Sequence, residues 1–158
     1  MVDTRAVEGE KVDLRFTVLG GTVGVVEDGR PVSLGGAQQR RVLAAFLIEA
    51  GVVVSADRLV EAIWPDGSAP EGARRTAMSY VSRLRTAIGA DRLVTRDNGY
   101  VLVLDGASYD AAEFESLLAE ARQLVGPDAV AAYDAALAPW PGRAFGDDGD
   151  EWWLRPVA

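Results

Sequence analysis

Between residues 72 and 88 the chain sets four apolar residues, Ala77, Val81, Leu84 and Ile88, at i, i+4, i+7 and i+11. That spacing puts them on one stripe of a helix. Arg74, Arg75, Met78, Ser79, Ser82, Arg85 and Thr86 lie off the stripe, with Arg83 at its margin. A guanidinium forks onto phosphate or onto the guanine edge, and a small hydroxyl reaches either phosphate or base. A helix that buries one face and offers these groups on the other fits the major groove of B-form DNA. A solvated surface helix carrying Arg for solubility shows the same residue types, so the helix alone leaves both readings open.

The absent chemistry narrows the field. The 158 residues contain no Cys and no His. Disulfides, thiolate metal sites and Cys nucleophiles are excluded. The commonest general base and the commonest transition-metal ligand are missing too, so no Ser-His-Asp triad can be built. The composition points away from an enzyme, and no cofactor is expected. Gly20-Gly21-Thr22-Val23-Gly24 is glycine-rich, but it opens a strand-like run and lacks the spacing of a phosphate cradle. Asp147, Asp148, Asp150 and Glu151 would attract a hard cation but lack the spacing of a calcium loop. They read as a solvated acidic loop beside Trp152, Trp153 and Leu154, and no metal site is expected.

The elements that must position the arginine-bearing helix are legible around it. Leu14 to Val18 alternates apolar and polar, the pattern of a half-buried strand. Val23 to Val26 reads as a second strand, and Pro31 to Leu34 as its return. Asp28-Gly29 between them is a two-residue hairpin signal, because a type I′ turn needs positive φ at both positions. Val42, Leu43, Phe46 and Leu47 then recur at helical spacing over 38–50, with Gly51 as a stop. Ser55 is a fair N-cap for a second helix carrying Leu59, Val60 and Ile63, which Trp64-Pro65 ends. The third helix spans 72–88. A hairpin over 92–104 follows, its strands joined by Asp97-Asn98-Gly99. The order of meander, three helices and hairpin is that of a winged helix-turn-helix. Its wing tip lies near the minor groove, where Arg96 has a use, since narrow grooves attract inserted arginine. Asp97 argues weakly against such a role, because phosphate repels it.

After Gly106 the pattern is purely helical. Asp110 with Glu113 resembles a capping box, and Phe114, Leu117, Leu118, Ala121 and Leu124 form one apolar face. Gly126-Pro127-Asp128 breaks the helix and opens another over Val130 to Leu137. The expected fold is therefore α+β: a winged helix over 12–105, then a TPR-like helical hairpin within 106–158, after a polar and flexible N-terminus at 1–11. Hydrophobic residues make up 49% of the chain, enough for a packed core. No apolar run has the length of a membrane span and the start has no signal-peptide order, so a cytoplasmic, nucleoid-associated protein is expected.

The net charge of −8 looks wrong for a nucleic-acid binder, but it is unevenly spread. Residues 30–104 carry ten Arg against seven Asp and Glu, whereas residues 105–158 carry three Arg against eleven. A local basic face matters more than the total.

Four motifs together resemble one family. They are Gly35-Gly36-Ala37-Gln38-Gln39-Arg40-Arg41, the run from Ser55 to Trp64, Tyr80-Val81-Ser82-Arg83-Leu84-Arg85, and Asn98-Gly99-Tyr100. In order and spacing they are similar to the antibiotic regulatory proteins of the SARP group. These join an OmpR/PhoB-type winged helix to a bacterial transcriptional activation domain of TPR-like helices. The resemblance implies an activator of secondary-metabolite genes that binds double-stranded DNA at promoter direct repeats, often as a homodimer, and recruits RNA polymerase. It implies DNA contacts from Arg74, Arg75, Ser79, Tyr80, Ser82, Arg83, Arg85 and Thr86 on the recognition helix, with Arg96 and Asn98 on the wing. Tyr80 would reach phosphate through its hydroxyl, or else be partly buried. Trp64 falls in the loop that faces RNA polymerase in such proteins, or else packs the loop.

Two departures qualify the match. Ala77-Met78 stands where many relatives have Leu and a polar residue, so base preference does not transfer. The activation domain is also expected to continue beyond residue 158, and a single helical hairpin rarely buries its own apolar face. Either the domain is cut short or the hairpin docks on the winged helix. A different class of function, a winged-helix protein-interaction module without specific DNA binding, also fits an acidic chain.

Overall fold

The computed structural model describes residues 13–140 and 142–146. The expected N-terminal tail, the acidic run Asp147 to Glu151 and the Trp152-Trp153-Leu154 segment lie outside the described residues.

Strand β1 (Leu14–Thr17) buries Leu14 and Phe16 and leaves Arg15 and Thr17 half-exposed, as its alternation requires. It pairs antiparallel with β2 (Gly24–Glu27), Leu14 opposite Glu27 and Thr17 opposite Gly24. Asp28 and Gly29 take φ of 47° and 77°, the two positive values of the expected primed turn. The return strand is shorter than its apolar run suggests: β3 is only Arg30–Pro31. Pro31 has no amide to donate, and Leu34 turns inward to the core instead of continuing the ladder.

Three helices follow. α1 (Ala37–Ile48) is buried continuously from Val42 to Leu47, which makes it the central helix. α2 (Ala56–Ile63) is capped as expected, the Ser55 hydroxyl accepting the Arg58 amide at 3.2 Å. α3 (Ala73–Ile88) starts at Gly72 and stops at Gly89. It packs against both α1 and α2, and its core is shared with the sheets.

A second sheet contains a strand that periodicity did not reveal. β4 (Val54–Ser55) pairs with β6 (Gly99–Leu102), which pairs with β5 (Leu93–Arg96). Arg96 lies opposite Gly99, so the wing turn is Asp97-Asn98 and Gly99 belongs to the strand. Of the turn pair, only Asp97 has positive φ, at 44°. Gly99 is needed for another reason: a Cβ there would overlap the Val54 carbonyl of β4.

The first sheet gains a fourth member from far along the chain. β7 (Ser108–Tyr109) adds parallel to β1, giving the order β3-β2-β1-β7. Two helices then form a hairpin, α4 (Asp110–Ala121) and α5 (Gly126–Leu137), with Phe114 edge-on to Trp140 at 5.0 Å. The apparent capping box at Asp110 and Glu113 does not form. The N-cap is Tyr109, and both carboxylates turn to the sheet. Asp110 is buried and accepts the Val18 amide at 2.9 Å and the Leu19 amide at 2.9 Å. Glu113 makes a two-pronged pair with Arg15, at 2.8 and 3.1 Å. Beyond α5 the chain returns to the same place, where the Phe145 amide donates to the Val18 carbonyl at 2.7 Å. The hairpin therefore docks on the sheet. Burial, with the Asp110 and Glu115 carboxylates near, pushes the Tyr109 hydroxyl well above its ordinary range.

Replacing Asp110 with Ala strands two amides that the fold keeps from water. An unsatisfied buried donor costs roughly 1–3 kcal/mol, so a loss of about 3 kcal/mol of unfolding free energy is expected in urea titrations. Asp110→Asn, which keeps one acceptor oxygen, should lose less.

Candidate nucleic-acid interface

The geometry of α3 follows from which stripe it buries. Ala77, Val81, Leu84 and Ile88 are all buried, joined by Ala73 at the start. Arg75, Ser79, Ser82 and Thr86 repeat the same i, i+4, i+7, i+11 spacing two positions earlier. Two residues are about 200° of helical turn, so this second stripe lies opposite the core. All four of its residues are exposed. Arg83, also exposed, flanks the stripe on one side, and half-buried Arg85 flanks it on the other, over the wing. Met78, Ser82, Arg85 and Thr86 of α3 line one wall of a groove whose other wall includes Tyr100 of β6.

The hydroxyls are partly committed. Ser79 donates to the Thr76 carbonyl at 2.8 Å, and Thr86 to the Ser82 carbonyl at 3.2 Å. Their oxygens keep lone pairs and so face outward as acceptors. The arginines divide into two sets. Arg74 is held by Asp57 of α2, Nε to Oδ1 at 2.9 Å, at the edge of the face. Among the described residues, the side chains of Arg75, Arg85 and Arg96 have no hydrogen-bond or ion-pair partner. Arg83 lies over the Tyr80 ring, its guanidinium carbon 5.9 Å from the centroid. Tyr80 is half-buried, and its hydroxyl donates to Gln38 Oε1 of α1 at 2.5 Å. Arg96 and Asn98 are exposed at the wing end, as is Asp97.

Trp64 sits at the C-cap of α2, half-buried against the core. It borders a cleft with Gln38, Arg41, Ile63, Pro65, Asp66 and Ser68. The Ser68 hydroxyl and amide, at 2.6 and 3.1 Å, hold the Asp66 carboxyl below its ordinary range and close the loop on itself. Two contacts to α3 had no local signal in the sequence: Gln38 to Tyr80, 42 residues apart, and Asp57 to Arg74. Among the described residues, no cluster of three or more His, Cys, Asp or Glu could hold a metal ion, and no helix is long and apolar enough to cross a membrane.

A helix offering arginine and hydroxyl groups beside a hairpin is the arrangement of the winged-helix class. Comparison with known proteins agrees. The family described as "Transcriptional regulatory protein, C terminal" matches residues 29–109, and the chain belongs to it. Regulatory protein AfsR of Streptomyces griseus is 36% identical over 110 residues, covering 70% of this chain and 11% of that protein. Transcriptional regulatory protein MoaR1 of Mycobacterium tuberculosis is 37% identical over 131 residues, covering 75% of this chain and 42% of that one. The chain thus spans less than half the length of these relatives. The structure of Mycobacterium tuberculosis EmbR, solved in complex with a low-affinity phosphopeptide, superposes with a TM-score of 0.72 at 30% identity. The match covers 91% of this chain and 40% of that one. The family match and these relatives agree with the SARP-type resemblance of the motifs.

The Asp57–Arg74 pair is an exposed contact between two helices, and such pairs contribute little to stability. Arg74→Ala is expected to change the unfolding free energy by less than about 1 kcal/mol in urea titrations.

Proposed function

We propose that the chain is a sequence-specific activator of secondary-metabolite genes, antibiotic biosynthesis among them, acting in the cytoplasm at the nucleoid. α3 enters the major groove and the wing rests at the adjacent minor groove. The observation that carries this reading is the exposed stripe Arg75, Ser79, Ser82 and Thr86, flanked by Arg83 and Arg85 and set opposite the buried one. Arginine provides bidentate contacts to guanine or phosphate, and the outward hydroxyl oxygens favour the amino groups of adenine and cytosine. Arg74 reaches phosphate at the edge of the helix, and Arg96 and Asn98 do so from the wing, whereas the Tyr80 hydroxyl is committed to Gln38.

The operator is a pair of direct repeats bound by a homodimer. The Trp64 loop meets RNA polymerase, consistent with its place on the cleft beside Gln38 and Arg41. Residues 12–105 serve as the DNA-binding domain, and 106–158 begin a TPR-like activation domain. The relatives AfsR and MoaR1, both named as regulatory proteins, support the regulatory reading.

The net charge of −8 favours a second reading, in which the domain binds protein instead of DNA. Sheared genomic DNA captured by the purified protein and sequenced separates the two. Enrichment of a short direct repeat upstream of particular genes is expected. Recovery of no sequence above background, with folded protein, sinks the DNA reading. Binding through about four phosphates should weaken about a hundredfold between 50 and 200 mM salt, whereas an apolar protein contact would barely respond. Arg83→Ala and Arg85→Ala should each weaken binding roughly ten- to hundredfold in fluorescence anisotropy, and unchanged affinity in both removes α3 from the groove.

A further inference from the structure

The Gly35 to Arg41 motif has a structural task that its residue types do not announce. Gly35 has φ of +83°, and a Cβ there would overlap the Gln39 side chain. Gln39 in turn accepts the Gly36 amide at 2.8 Å and is buried. The Arg40 guanidinium donates to the Gly35 carbonyl at 2.8 Å, and Arg41 to the Ile63 carbonyl at 3.4 Å. The first turn of α1 is therefore held in one place. Gln38 leaves that turn and accepts the Tyr80 hydroxyl at 2.5 Å. Tyr80 is half-buried, and its ring faces the Arg83 guanidinium at 5.9 Å. A cation within about 6 Å of an aromatic centroid is attracted to the ring face.

We propose that Gln38 is a positioning residue for DNA binding: it fixes the Tyr80 ring, and the ring holds Arg83 in the orientation that meets DNA. This rests on the DNA-binding reading of α3. Arg83 has a long, flexible side chain, and ordering it on contact with DNA costs conformational entropy. A ring pinned through its hydroxyl to a rigid helix end orders the guanidinium in advance. Gln38 need not touch the nucleic acid to influence affinity.

The test uses the full chain and duplexes enriched from a random-sequence library by the unaltered protein. Gln38→Leu removes the acceptor, and Tyr80→Phe removes the donor but keeps the ring. Each should weaken binding about three- to tenfold, with the melting temperature unchanged and no further loss when the two are combined. The decisive measurement is Gln38→Leu in an Arg83→Ala background, where its effect should vanish. A merely structural role for Gln38 would persist there. Should Gln38→Leu fail to fold, Tyr80→Phe carries the same cycle from the other end of the bond. Unaltered protein that binds duplex while the Gln38 and Tyr80 variants bind equally well overturns the proposal alone, as does an undiminished effect without Arg83. Failure of the unaltered protein to enrich any duplex overturns the DNA-binding reading and this proposal together.

Discussion

The structure depends on the burial of one stripe of α3. Ala77, Val81, Leu84 and Ile88 seat the helix against α1 and α2 so closely that it cannot rotate about its axis without exposing them. Each large apolar side chain in such a stripe contributes roughly 1.5–3 kcal/mol on burial, which makes the orientation hard to alter. The orientation of the opposite face follows. Arg75, Ser79, Ser82 and Thr86 point outward because the stripe two positions on points inward. A scaffold that packs the apolar face fixes the backbone from which the polar side chains extend.

Both sheets share the apolar core, and the helical hairpin is tied to the first of them by short polar contacts. Val18 is the junction: its amide is taken by Asp110 at the start of α4, and its carbonyl by Phe145 beyond the end of α5. The Arg15–Glu113 pair and the parallel strand β7 lie alongside. The hairpin therefore meets the sheet at both its entrance and its exit. Backbone groups at the end of β1 that would otherwise need water are satisfied by side chain and chain from more than 90 residues away. Leu124, Val130 and Leu137 on the hairpin remain exposed.

Charge is arranged along the same lines. The excess of acid lies in the last third of the chain, whereas Arg74, Arg75, Arg83 and Arg85 lie on α3 and Arg96 on the wing. The Debye length at physiological salt is about 8 Å, so a face responds to its own charges far more than to the total. Two acidic groups do come close to the arginine face, and they have different consequences. Asp57 binds Arg74 and trims the edge of the face, whereas Asp97 stands exposed at the wing turn next to Arg96.

Much of this was determined by the sequence alone, and the reason is local. The α3 stripe, the Ser55 cap, the glycine stops and the Asp28-Gly29 turn each depend on residues within a few positions of one another, so period and turn chemistry suffice to read them. The exposed candidates Arg75, Ser79, Ser82, Arg83, Thr86 and Arg96 could be named for the same reason, whereas Asn98 was named through the family resemblance. Tertiary structure alone decided the rest. Two-residue strands such as β4 and β7 carry no period and exist only because β6 and β1 offer them a ladder. Gly99 read as a turn glycine, yet it is required by the close approach of Val54. Asp110 and Glu113 had the spacing of a local cap, but unpaired amides at Val18 and Leu19 and a cation at Arg15 outcompeted the helix end. The support of Tyr80 by Gln38 belongs to the same class: hydrogen bonds between distant residues leave no periodic trace, and only packing brings donor and acceptor together.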